Sequence, residues 1–157
     1  MALSDDGSPS PENRAVETID DDVRRAIQDR VAQEPFARKL GLRLVDLDAG
    51  YARVEMDVAS DMANIFDMFH GGAIFSLMDE AFQVACNSHG TVAVALNVSI
   101  SYLSAPEMGS RLIAEAREIH KTAKTAHYAI QVTDDRGKLV ASCQALAYRK
   151  GTPLPFL

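Results

Sequence analysis

From Gly71 to about Ser88 the chain has a stretch that, wound as a helix, carries apolar side chains on nearly every side: Ile74, Phe75, Leu77, Met78, Ala81, Phe82, Val84, Ala85 and Cys86. A helix without a wet face has to be enclosed by the rest of the chain. The flanking segments show what encloses it. Ala52, Val54, Met56 and Val58 alternate with Arg53, Glu55 and Asp57, the two-residue period of a half-buried strand. Leu42, Leu44 and Leu47 mark a strand before it, and Asp48-Ala49-Gly50 makes the turn between them. After Gly90, four strands are predicted over about 92–104, 110–120, 125–134 and 138–149, with Val94, Leu96, Val98, Ile100 and Tyr102 alternating in the first. Asp134-Asp135-Arg136-Gly137 suits a hairpin turn, and Pro106 to Gly109 a loop. The expected class is α+β, with an antiparallel sheet curved around one long central helix.

The ends read differently. Residues 1–18 contain Ser4, Gly7, Ser8, Pro9, Ser10 and Pro11 and little apolar content, the composition of a disordered tail. Over 19–34, Val23, Ile27 and Val31 recur every four residues behind Asp20, Asp21 and Asp22, which predicts an extra N-terminal helix. Pro35 interrupts it, and Phe36 to Leu40 suits one further turn. Residues 35–150 are the expected main domain, with 59–69 a loop. Residues 151–157, with Pro153 and Pro155, are expected to leave the sheet as a C-terminal tail. No internal repeat or second-domain linker is present.

With 157 residues, 47% of them hydrophobic, one domain can bury a core without a disulfide or metal staple. Cys86 and Cys143 have no framework spacing and are expected to be reduced and structural. A formal net charge of -6 disfavours a nucleic-acid partner, and no apolar run approaches a membrane span. The acidic start, Met1-Ala2-Leu3-Ser4-Asp5-Asp6, lacks secretory features, so the expected location is the cytoplasm. Cys86 and His89 lack companions at zinc spacing, and no nucleophile elbow, P-loop or dinucleotide fingerprint occurs. The expectation is chemistry without a cofactor or a metal.

The chemistry is concentrated at the head of the central helix. Gly71 and Gly72 let a ligand or another backbone approach the unpaired N–H groups and positive dipole end there. Such a site suits a carbonyl oxygen that gains negative charge during acyl transfer, although a plain helix cap would look the same. Eight residues on, Asp79 lines up on the helical repeat with Phe75, Phe82 and Cys86, whereas Glu80 lines up with Ser76, Gln83 and Asn87. Asp79 is therefore expected against the apolar face, with a raised pKa suited to a general base. The alternative is a buried Asp that bonds a neighbouring loop. Eight residues of helix span about 12 Å, too far for the Gly71 N–H and the Asp79 carboxylate to meet on one carbonyl. If both act on one thioester, the acid comes from a second copy of the chain.

The run His70-Gly71-Gly72-x-x-Phe75-Ser76-Leu77-x-Asp79-x-Ala81-Phe82-x-x-Ala85-Cys86-Asn87-Ser88 resembles the signature of hotdog-fold thioesterases of the phenylacetate-degradation (PaaI-like) type. The resemblance extends over about residues 36–150. It implies the hotdog fold and hydrolysis of an acyl-CoA, aryl-acetyl or medium-chain, to the free acid and CoA. It also implies a homo-oligomer, a dimer with shared sites and further a tetramer. Carried over position by position, Gly71 would polarise the thioester carbonyl and Asp79 of the facing subunit would act as nucleophile or base. Asn64 would orient the carbonyl or the water, and His70 would shape the loop. Gly72, Ser76 and Phe82 would border the substrate, and Phe66, Met68 and Phe69 would suit a flat apolar acyl group. Lys121, Thr122, Lys124 and Thr125 fall where the family binds CoA, although a solvated turn reads the same way. A non-catalytic acyl-CoA-binding domain stays open as the second reading. A hotdog dehydratase or hydratase is disfavoured, because it wants a His and a carboxylate at other spacing.

Overall fold

A computed structural model describes residues 17–157, so all but the last two residues of the expected tail lie outside the described residues. Helix α1 (Asp21–Gln33) starts at Asp20, whose side chain accepts hydrogen bonds from the Asp22 and Val23 N–H groups. That satisfies two donors the first turn cannot pair internally. Pro35 opens α2 (Pro35–Leu40), which closes on Gly41 at φ 69°, a left-handed cap that a Cβ would strain. The rest is one antiparallel sheet of β1 (Arg43–Asp48), β2 (Tyr51–Asp57), β3 (Thr91–Tyr102), β4 (Arg111–Lys121), β5 (Thr125–Asp134) and β6 (Leu139–Pro153). Its order is β1-β2-β4-β5-β6-β3.

Between β2 and β3 the chain forms the central helix α3 (Gly71–Asn87), which packs on β2, β3, β4 and β5. The two-residue period does its work here. Ala52, Val54 and Met56 of β2 and Leu112, Ala114 and Ala116 of β4 are all at 0% exposure and face the helix. Arg53, Glu55, Asp57 and Arg111 turn outward and pair with one another. Leu77 and Met78 fill the middle of this core, where truncation to Ala typically costs about 2–5 kcal/mol. The far end of α3 is tied down by Ser88. Its hydroxyl donates to the Ala85 carbonyl at 2.8 Å and accepts the Gly50 N–H at 2.7 Å, so the β1–β2 turn is stitched to the helix terminus.

The ends depart from expectation. Gly151–Pro153 stay in β6, with Pro153 opposite Thr91, and Leu154 is buried while its N–H reaches the Gly90 carbonyl. Burial of one leucine and one backbone bond outweigh the proline signal, because a proline is harmless at the end of a strand. Glu17, assigned to the tail, pairs with Lys121 at 2.7 Å, and Ile19 is buried with its N–H on Asp48 at 2.9 Å.

Candidate active site

The loop ahead of α3 is built by Asn64. Its N–H donates to the Met68 carbonyl at 2.7 Å, and its side-chain oxygen accepts the Phe66 and Met68 N–H groups at 2.9 and 3.2 Å. With the oxygen committed to the loop, the amide NH2 is the end left to meet a substrate. Phe69 is buried and anchors the loop, whereas Ile65 and Phe66 stand 91% and 71% exposed at its tip. His70 then caps the helix: its Nδ1 accepts the Gly72 N–H at 2.8 Å. The Gly71 N–H, one residue earlier, has no partner among the described residues. Tyr102 of β3 closes the other side. Its hydroxyl donates to the Gly71 carbonyl at 3.1 Å, and its ring lies 3.3 Å from where a Cβ on residue 71 would sit. One unpaired N–H at a helix head thus stands on a glycine that nothing larger replaces easily.

The two acids are placed the other way round from the sequence expectation. Within one chain Asp79 is exposed, on a face of α3 shared with Gly72, Ser76 and Gln83, and Glu80 is buried at 4% exposure. The reason is the direction of the sheet. It covers the side of the helix centred on Leu77 and Ala81, and Glu80 falls just inside that edge. Asp79 has no hydrogen bond or ion pair among the described residues, yet its carboxyl is raised above the usual aspartate range by lost solvation and by the nearby Glu34 charge. Glu80 is pushed up to about 7 by burial, then by Glu34 and Asp79. Its Oε2 accepts from Gln83 Nε2 at 3.3 Å, and its Oε1 is buried without a partner. The same Gln83 nitrogen donates to Glu34 Oε2 at 2.9 Å.

Several of the expected substrate contacts change meaning. Phe82 is 2% exposed and packs edge-on against Tyr128 with ring centroids 5.3 Å apart, so it belongs to the core, as does Phe69. The cause is again that the sheet covers this side of α3. Ser76 spends its hydroxyl on the Gly72 carbonyl at 2.9 Å. In the β4–β5 turn, Lys121 is held by Glu17 and by His89 Nδ1 at 3.2 Å, and Thr122 and Thr125 bond each other and the turn backbone. Lys124 stays exposed. Cys86 and Cys143 are free and buried, with thiols pushed up to about 12 and about 11 by burial, which keeps them unreactive.

Comparison with known proteins follows this geometry. Residues 66–141 match the model of the thioesterase superfamily, a span that contains Gly71 and Asp79. A putative esterase of Archaeoglobus fulgidus is 42% identical over 74% of this chain and 75% of its own length. The acyl-coenzyme A thioesterase PaaI of Escherichia coli is 37% identical over 73% of this chain and 82% of its own. The chain belongs to the thioesterase superfamily. The solved structure of the E. coli PaaI protein from the phenylacetic acid degradation operon superposes with a TM-score of 0.80 at 33% identity, over 83% of this chain and 95% of that one. The six-stranded sheet around one helix is therefore the hotdog fold, as the family resemblance implied. Within this thioesterase-superfamily site, Tyr102, Glu34, Gln83 and Glu80 are the residues the sequence reading missed. Tyr102 is 31 residues from Gly71 and Glu34 49 from Gln83, so no local pattern joins them.

Proposed function

We propose that this chain is an acyl-CoA thioesterase whose active site is shared between two copies, one supplying the Gly71 N–H and the other the Asp79 carboxylate. One observation carries the reading: an unpaired N–H and an unpaired carboxylate stand on one continuous helix, eight residues and about 12 Å apart. Neither has a partner among the described residues, and together they meet the needs of a thioester only across a pair of chains. The thioester carbonyl accepts the Gly71 N–H, aided by the helix dipole, while the Asn64 amide orients the carbonyl or the attacking water.

Hydrolysis then follows one of two balanced routes. In the first, Asp79 takes a proton from water as the water oxygen bonds the carbonyl carbon; the C–S bond breaks and the proton passes to the CoA sulfur. In the second, an Asp79 oxygen bonds the carbon and expels CoA thiolate, leaving a mixed anhydride that water cleaves at the Asp79 carbonyl carbon, its released proton going to the thiolate. A single turnover in 18O-labelled water separates them, because only the second leaves label in the Asp79 carboxylate. Exposed Lys124 supports a contact to CoA phosphates, while Lys121 is already paired. A non-catalytic binding role would have favoured an Asp79 ion-paired away from the helix face.

The assembly we propose is a cytoplasmic homotetramer built from dimers. The edge strand β3 supports the dimer, since Val94 and Leu96 are 39% and 57% exposed on an edge with no strand partner among the described residues. The outer face of β5, β6 and β3, with Gln131 opposite Ser142 and Ser99 opposite Gln144, supports sheet-to-sheet pairing of dimers. No helix among the described residues is long and apolar enough to cross a membrane. The reading is tested by following thiol release from a panel of acyl-CoAs, aryl-acetyl and medium-chain esters included. Asp79→Asn is expected to lose at least about 100-fold in kcat with its melting temperature retained. Wild-type turnover in that variant would sink it.

A further inference from the structure

The Gly71 N–H serves a thioester only if the peptide that carries it is held still, and glycine is the residue least able to restrain its own backbone. Two peptide planes meet at the Gly71 Cα. The first, between His70 and Gly71, is fixed at its carbonyl, which accepts the Ala73 N–H at 3.0 Å and the Ile74 N–H at 3.4 Å as the first turn of α3 closes. The second, between Gly71 and Gly72, is held at both ends by side chains. Its N–H donates to His70 Nδ1 at 2.8 Å, and its carbonyl oxygen accepts the Tyr102 hydroxyl at 3.1 Å. A carbonyl oxygen has two lone pairs, so the bond from Tyr102 adds to the one an α-helix makes there. The ring lies alongside as well: a Cβ on residue 71 would meet Tyr102 Cε1 and Cζ at 3.3 Å.

Tyr102 is itself firmly mounted. It ends β3 opposite Ala141 of β6, and the next two N–H groups, of Leu103 and Ser104, both donate to the Val140 carbonyl, at 2.8 and 3.2 Å. The Ser104 hydroxyl adds a bond to the Leu139 carbonyl at 2.9 Å. Val140 and Ala141 are buried, so the mount belongs to the core of the sheet. A side chain carried on a strand holds a geometry more closely than one carried on a loop. Yet Tyr102 is 51% exposed. A hydroxyl that water reaches gains little net stability from one neutral bond to a carbonyl. Holding the fold together is therefore a poor account of the contact, whereas its effect on the direction of one peptide is direct.

We propose that Tyr102 is a positioning residue of the hydrolysis: with His70 it clamps the Gly71–Gly72 peptide from both ends and so fixes the direction in which the Gly71 N–H meets the thioester carbonyl oxygen. The inference rests on the thioesterase reading and adds to it a residue from β3. Tyr102 acts through Gly71, not on the substrate. Hydrogen bonds weaken steeply as their angle closes, and an oxyanion donor matters most where charge develops in the transition state. Slackening one end of the clamp therefore lowers kcat and leaves KM nearly untouched.

The test is a double-mutant cycle of Tyr102→Phe with Gly71→Ala, read as kcat and KM on the acyl-CoA that wild type cleaves fastest, beside melting temperature and sedimentation. Tyr102→Phe keeps the ring and is expected to lower kcat roughly tenfold, with KM, melting temperature and assembly close to wild type. In the Gly71→Ala background the same change is expected to have less than about a twofold effect, because the donor it aims is already displaced. Para-aminophenylalanine at position 102, which returns an N–H donor to the place of the hydroxyl, is expected to restore most of the lost kcat. Wild-type kcat in Tyr102→Phe, or an equal loss in both backgrounds, overturns the role of Tyr102. Unfolding or dissociation of Tyr102→Phe would mark the contact as structural and overturn it too. In each of these cases the shared-site reading survives if Gly71→Ala and Asp79→Asn are impaired. If Gly71→Ala keeps wild-type turnover, that reading and the inference fall together.

Discussion

Asp79 and Glu80 are adjacent acids with opposite circumstances. In the proposed mechanism Asp79 works only when ionised, and its folded carboxyl is raised, first by desolvation and then by Glu34. The kcat/KM of hydrolysis is therefore expected to fall with acid through a midpoint above that of an ordinary aspartate; a flat profile down to pH 4 would contradict the role. For Glu80 the readout is stability. Its folded pKa of about 7 lies above its unfolded value, so the native state holds the proton more tightly and stability is lost as pH rises from about 4.5 through 7. The full effect is roughly 3 kcal/mol. Replacing it by Gln keeps the shape and removes the titration. Glu80→Gln is expected to be more stable than wild type at pH 8 and about equal at pH 4, read by urea unfolding at both values. No gain at pH 8 would show that Glu80 finds a partner for its free oxygen.

At the scale of elements, the head of α3 is assembled from three separate pieces of chain. His70 uses up the Gly72 N–H, Tyr102 holds the Gly71 carbonyl, and the Asn64 loop delivers the backbone to both. The Gly71 N–H is left over because its neighbours are occupied. A Cβ at 71 would meet the Tyr102 ring at 3.3 Å, so Gly71→Ala must push the ring or turn the peptide. The expected result is a loss of about 100-fold in kcat, the scale of one oxyanion donor, with thermal stability close to wild type. Parallel thiol-release and melting measurements decide it, and unchanged turnover would remove Gly71 from the mechanism. The elements themselves were legible in advance. Alternation placed β2, β4 and β5 to within about a residue because one face of each is dry, and the apolar run marked α3 because nothing amphipathic competes with it. The face of α3 was not legible. Phe75, Phe82 and Cys86 line up on a helical wheel, but which arc the sheet covers depends on strands outside the helix, on both sides of it in sequence.

For the whole molecule, the proposed pairing across the open edge of β3 would link assembly to activity. If the sheet continues through a second β3, a charge on that edge should break the pair. Leu96→Lys is expected to shift the protein toward monomer in sedimentation and to lose hydrolysis in proportion, although Leu96 touches none of the catalytic groups. A fully active monomer would refute the shared site.

What the amino-acid order determined by itself was everything that depends on neighbours along the chain. This covers the strand period, the enclosed helix, the acids at the start of α1, and Gly71 eight residues ahead of an acid. Local periodicity records which faces are dry, and the dry faces of one helix and six strands admit few arrangements. The tertiary structure decided what depends on direction and distance. It put Glu80 inside and Asp79 out, moved Phe82 into the core, drew Lys121 into an ion pair with Glu17, and kept Gly151–Pro153 on the sheet. Each of these outcomes is a competition between burial and solvation at contacts remote in sequence, and no spacing along the chain records who wins it.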